Sequence, residues 1–204
     1  DLIWQSGLLE HVFPELAATV DCDQSPDFHP EGSVFNHIRL MLSLMPKESS
    51  HLLPWTILLH DIAKPQTKRF DKVKGWTFHG HEEIGRKMMY HVAKRMKLSN
   101  ELRDYLMLLT KLHLRPITLA MQGITDSAVR RVMAEAGEYI DELMTLCRAD
   151  ITTKNPKLVK KYMGNFERVE HLMQDVKLRD EMQAFQSPVR GKDIMKAFSL
   201  KPGR

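Results

Sequence analysis

A chain of 204 residues, 43% hydrophobic and 27% charged, is long enough for one well-buried core and has neither a disordered nor a fibrous bias. No apolar run approaches the roughly 20 residues of a membrane span, and the first residues lack a basic segment followed by an apolar core, so a soluble, cytoplasmic protein is expected. The two cysteines, Cys22 and Cys147, stand far apart in dissimilar contexts, which excludes a disulfide framework and a thiolate zinc pattern, while the net charge of +4 permits an anionic partner without requiring one.

The chain opens at Asp1, without a methionine and directly in an amphipathic segment, which is expected of a fragment of something longer. Leu2 to Leu16 carry a short helical pattern limited by Pro14, and the Asp- and Pro-rich stretch from Cys22 to Gly32 reads as a loop. Periodicity resumes at Ser33: Val34, Ile38, Met41, Leu42 and Met45 mark one face of a helix closed by Pro46, and Leu52 to Leu59 form a nearly all-apolar, buried helix. Lys64 to Phe78 mixes charges with Pro65 and Gly75, an exposed loop. A helix follows from about Gly80 to Lys97. Another runs from Asn100 to His113, with Leu102, Leu106 and Leu109 in register.

Thr125 to Ala136 is helical, with Thr125 as N-cap and Gly137 as the stop. Glu138 to Asp150 is amphipathic. Asn155-Pro156 opens a helix that continues to about Leu178, and a short last helix lies near Lys192 to Phe198. No segment alternates convincingly enough to predict a strand, and no repeat or low-complexity tract is present. The expected fold is all-α, a compact helical bundle in one domain spanning 1–204. Within it, 1–32 form a helical lead-in and loop, 33–154 a metal-binding core, and 155–204 the C-terminal helices.

The chemistry concentrates at Leu58-Leu59-His60-Asp61-Ile62-Ala63-Lys64, which sets two metal-competent side chains at the end of an apolar helix. A carboxylate buried there costs several kcal/mol unless a cation or donors satisfy it. A bare His-Asp pair more often caps a helix, but three further histidines fall on apolar faces. His37 lies one turn before Met41, His81 one turn before Gly85, and His113 one turn beyond Leu109. A lone inward histidine is commonly just hydrogen-bonded. Several in one small core are satisfied more simply by converging. Asp150, one turn after Cys147 and two after Leu143, adds a second inward carboxylate. Imidazoles with carboxylates and no thiolate suit divalent iron, manganese, cobalt, nickel or zinc, and magnesium less well.

His37, the pair His60-Asp61 and Asp150, in that order on successive helices, resemble the HD superfamily of metal-dependent phosphohydrolases. His81 and His113 match the extra histidines of HD proteins that hold two metals, so the resemblance implies a dinuclear site bridged by Asp61. A narrower resemblance rests on GLLEHVFPEL, FHPEGSVFNH, LLHDIAKP, GWTFHGHEEIG, HLRP and CRADITTKNP. Together these look like the HD-containing C-terminal portion of bacterial CCA-adding tRNA nucleotidyltransferases and poly(A) polymerase-like proteins, over nearly the whole chain. The strand-borne carboxylate pair and Gly-Ser turn of a nucleotidyltransferase head are missing, so this chain is not expected to add nucleotides by itself.

The expected reaction is phosphoester hydrolysis on a nucleotide, cyclic phosphate or RNA end, with one or two metal ions and Asp61 as the central catalytic residue. Lys64 and Arg115 are the candidate phosphate-binding cations, each to be weighed against the commoner solvated basic residue. His29 and His79 are alternate ligands placed in loops. Lys154, Lys157, Lys160 and Lys161 are candidate RNA contacts, although a solvated helix face is the more frequent explanation of such a run. Met88, Met89 and Met96 read as core filler. Two other readings stay open. One is a tRNA-binding body with a structural or vestigial metal, recognisable by occupancy without turnover; the other is a helical domain whose histidines only hydrogen-bond.

Overall fold

The computed structural model describes residues 1–46, 48, 50–73, 75–121, 125–184 and 191–199. It is helical almost throughout, as the apolar periodicity requires. The N-terminal pattern breaks into three single turns, α1 (Leu2–Gln5), α2 (Leu9–Val12) and α3 (Pro14–Ala17). The breaks fall at Gly7, with φ of 75°, and at Phe13, which precedes proline and is driven out of the helical region. The loop after them is pinned by an Asp23–Ser33 bridge and by Gln24 N donating to Gly32 O at 3.1 Å.

Ser33 then caps α4 (Val34–Leu44), its hydroxyl accepting from Asn36 N at 3.3 Å. α5 (Leu53–Leu59) carries Pro54 in its first turn and ends on His60 as its C-cap. Beyond Asp61 the expected exposed loop is corrected. Lys64–Thr67 form a helical turn, α6, with Lys64 and Thr67 buried, and Arg69–Asp71 (β1) pairs antiparallel with Gly75–Thr77 (β2). Strands of three residues are too short to show alternation in sequence, so the pattern alone does not reveal them.

α7 (His81–Arg95) starts after Gly80, whose φ of 79° suits only glycine comfortably, and packs along α8 (Asn100–Leu112), capped by Ser99. Gly85 lets these helices close up: a Cβ there would stand 3.1 Å from Thr110 Cγ2 and 3.5 Å from His60 O. α9 (Arg115–Met121), unforeseen in the sequence, follows at once. α10 (Asp126–Ala136) has the expected Thr125 cap and Gly137 stop. A 3-10 turn (Gly137–Tyr139) leads to α11 (Ile140–Ala149), and α12 (Pro156–Ala184) runs past the expected Leu178 before α13 (Gly191–Phe198). Within the expected 155–204 segment, residues 185–190 and 200–204 lie outside the described residues.

Ile38, Met41, Leu53, Ile57, Leu59, Met89, Leu106, Leu109 and Leu112 form a continuous core between α4, α5, α7 and α8, which Phe166 and Val169 of α12 extend. Each such side chain gains about 1.5–3 kcal/mol from full burial. Met89 is fully buried, and Met88 and Met96 pack against the same core. Among the described residues no helix is long and apolar enough to cross a membrane.

Candidate metal centre

The helices that build the core also end at one place. His60, His113 and Asp150 are the C-cap residues of α5, α8 and α11, and His81 is the first residue of α7. Three helix C-termini therefore lie beside the cluster, and their unpaired carbonyls favour a cation there. His37 enters from the middle of α4. His37, His60, Asp61, His81 and His113 are all buried, and the side chain of Asp150 keeps only 12% exposure.

Ring orientation is set locally. His60 Nδ1 lies 2.9 Å from Ile57 O, His81 Nδ1 2.7 Å from Phe78 O, and His113 Nδ1 2.6 Å from Thr110 O. A carbonyl can only accept, so each Nδ1 carries a hydrogen and each ring turns its Nε2 inward, where the deprotonated nitrogen offers a lone pair. His81 Nε2 and His113 Nε2 then stand 3.1 Å apart. Asp61 lies between the groups, Oδ2 at 3.2 Å from His60 Nε2 and Oδ1 at 3.3 Å from His81 Nε2 and 4.0 Å from His113 Nε2.

These atoms fall into two donor groups that share Asp61: His37, His60, Asp61 and Asp150 in one, Asp61, His81 and His113 in the other, with donor atoms within 4.8 Å of one another in each. His60 Nε2 and both Asp61 oxygens are buried and receive no hydrogen bond of good geometry. Imidazole nitrogens converging on a buried carboxylate, whose Oδ2 meets Lys64 Nζ at 2.7 Å, are an arrangement a divalent cation resolves. The donors, imidazole and carboxylate without thiolate, suit a transition metal. By this test the residues fit a metal.

The protein's own groups already balance part of the charge. Burial alone would raise Asp61, but the neighbouring His60 and Lys64 outweigh it and hold the carboxyl well below its usual range. Asp150 is likewise lowered against its burial, chiefly by the His37 hydrogen bond at 2.9 Å. Burial would lower His37, yet hydrogen bonds to Asp150 and Glu31 push it up to about 9. His113 has no such partner; burial and the adjoining His81 and His60 push it down to about 3. Lys64 Nζ, 2.7 Å from Asp61 Oδ2 and 2.7 Å from Gln24 Oε1, is buried inside the site rather than extended toward solvent.

Glu31 escaped the sequence reading. Its Oε1 stands 2.6 Å from His37 Nδ1, 2.7 Å from Thr152 Oγ1 and 3.3 Å from His29 Nδ1. It sits in a loop without periodicity. The available signal was its presence in the quoted FHPEGSVFNH segment, next to His29. His29 thus lies behind His37, against Glu31, while His79 is exposed. Arg115 is exposed at the start of α9, and Lys154, Lys157, Lys160 and Lys161 are exposed on and just before α12, away from any described ion pair. A cleft of about 190 Å³ opens onto Asp150 and His29, walled by Phe28, Leu114, Ile117 and Tyr162.

A family model described as HD domain matches residues 33–155. Similar curated proteins include the A-adding tRNA nucleotidyltransferase of Deinococcus radiodurans, 28% identical across 97% of this chain and 45% of that protein. The Multifunctional CCA protein of Tolumonas auensis is 30% identical across 74% of the chain and 37% of its own length. That of Shewanella denitrificans is 25% identical across 95% and 47%. The chain spans less than half the length of each.

Proposed function

The chain belongs to the HD-domain family, and from that premise we propose that it is a metal-dependent phosphohydrolase acting on the phosphoester of a nucleotide, a cyclic phosphate or an RNA end. The observation that carries this reading is the pair of buried donor groups sharing Asp61. His37, His60, Asp61 and Asp150 would hold one divalent ion and Asp61, His81 and His113 a second, drawn from iron, manganese, cobalt, nickel or zinc. Such ions, when bound, supply Lewis acidity toward a phosphoryl oxygen.

The protein's contribution is preorganisation. Nδ1-to-carbonyl bonds fix three imidazoles with their Nε2 atoms inward. Lys64 keeps the shared Asp61 anionic. The cleft beside Asp150 has room for one small group, with Phe28 and Tyr162 offering aromatic faces. Arg115, on the α9 segment between the cleft residues Leu114 and Ile117, is our candidate to meet a phosphate at its rim. The same reading takes 33–154 as the metal-binding core of a cytoplasmic protein.

Elemental analysis paired with hydrolysis of a phosphodiester and 2′,3′-cyclic nucleotides tests it. Metal near one or two equivalents with turnover lost in Asp61→Ala is the expected result. No metal even after reconstitution would sink the proposal. A second reading draws on the tRNA enzymes the chain is similar to and on the exposed lysines of α12: an RNA-binding body whose metal is structural. Bound metal without turnover on a wide panel, together with salt-sensitive tRNA binding, would favour that reading.

A further inference from the structure

The hairpin β1–β2 puts unusual residues into water. Register pairs Phe70 with Trp76, so both side chains share a face, and their rings meet edge to face at 5.1 Å. Lys68 Nζ sits 4.3 Å over the Trp76 ring. Trp76 is therefore partly covered, whereas Phe70 is 66% exposed and Val73, at the turn, 93%. A hairpin this short is marginal by itself, and leaving a phenyl ring bare adds nothing to its stability.

Charge accompanies the aromatic face. In the sequence Lys68–Gly75, Lys68, Arg69, Lys72 and Lys74 outnumber the one carboxylate, Asp71; Asp71 accepts from Val73 N at 2.8 Å, and Lys68 Nζ also lies 3.8 Å from Asp23 Oδ2. An exposed aromatic ring among cations is the composition of a platform on which bases stack while phosphates meet lysine and arginine. The placement adds direction. The hairpin begins just after α6, whose Lys64 pairs with Asp61, and leads into Phe78, whose carbonyl holds His81.

We propose that this hairpin binds single-stranded nucleic acid through Phe70 and its flanking cations, so that the substrate reaching the metal centre is the end of a strand. The link to the metal centre rests on the phosphohydrolase reading; the binding does not.

The experiment is fluorescence anisotropy of a short labelled single-stranded RNA with the intact chain in the presence of chelator, for wild type, Phe70→Ala and Lys72→Glu. Thermal unfolding serves as the fold control. Phe70→Ala weakens binding about tenfold, in line with the loss of one stacked base, and Lys72→Glu weakens it most at low salt. Unchanged affinity in both variants would overturn the proposal, as would wild-type protein that binds anionic vesicles but no RNA. Hydrolysis of a cyclic mononucleotide, which is too small to span the hairpin, is read separately. Absence of wild-type turnover on it and on a panel of nucleotides, phosphodiesters and RNA ends defeats the phosphohydrolase reading and leaves the hairpin result standing.

Discussion

Two sets of carboxylates with cationic partners show how differently the same chemistry counts. Between α10 and α12, Arg130 grips Asp180 with contacts down to 2.8 Å and Arg179 reaches Asp126, while within α12 Arg179 also reaches Asp175. Inside the helical core, Asp61 meets His60, His81 and Lys64 at distances that are no shorter on average. The outer set is partly exposed, its side chains 38–58% accessible, and solvent-screened pairs of this kind contribute little. The inner set is dry. Each charge there keeps its partners or costs several kcal/mol. Burial, rather than the length of the contact, separates a surface tie from a site.

The largest expected effect breaks the inner set. Asp61→Asn, which keeps shape and removes charge, lowers hydrolysis by at least about a hundredfold and lowers metal content, read by a phosphodiester assay and elemental analysis on one preparation. Next comes the support behind His37. Glu31→Gln leaves the Thr152 contact but loses the carboxylate that holds the ring, and metal affinity falls about 10–100-fold. Titration with metal restores turnover if Glu31 acts through His37, and fails to do so if Glu31 touches the substrate itself.

The comparison sharpens at the surface. Under the RNA-binding reading, Lys157→Glu and Lys160→Glu each weaken tRNA binding and reduce its salt slope by about one, with metal content unchanged. Equal affinity across a salt series would return these lysines to the status of a solvated face. The smallest effects belong to exposed pairs. Arg95 grips Glu15 at 2.7 and 2.6 Å; burial would raise Glu15, but Arg95 outweighs it and lowers the carboxyl. A carboxylate depressed by the fold gives stability that is complete above its unfolded pKa and drains as pH falls through the folded value. Arg95→Gln therefore lowers the thermal midpoint slightly at neutral pH, and the gap from wild type closes on acidification. Arg130→Ala moves the midpoint by no more than the scatter of repeats.

What was legible in the sequence follows the same division. His37, His60, His81, His113 and Asp150 are spaced on the apolar stripes of helices, and helical periodicity translates directly into which side faces in. The structure brings them and Asp61 together. Glu31 and the burial of Lys64 were not legible, because both depend on how the 22–33 loop folds back over α6, and Gln24 reaches Lys64 across forty positions of sequence. The hairpin and α9 were missed for want of length: three-residue strands show no alternation, and a single turn or two after His113 offers too few positions for a period.

The three Nδ1-to-carbonyl bonds have a consequence for assembly. Each spans only three residues, from His60 to Ile57, His81 to Phe78 and His113 to Thr110. The choice of which ring nitrogen bears hydrogen is thus made by chain three residues away, without help from distant helices. Local chain orients each imidazole, and tertiary packing supplies only the meeting of their Nε2 atoms at a common point.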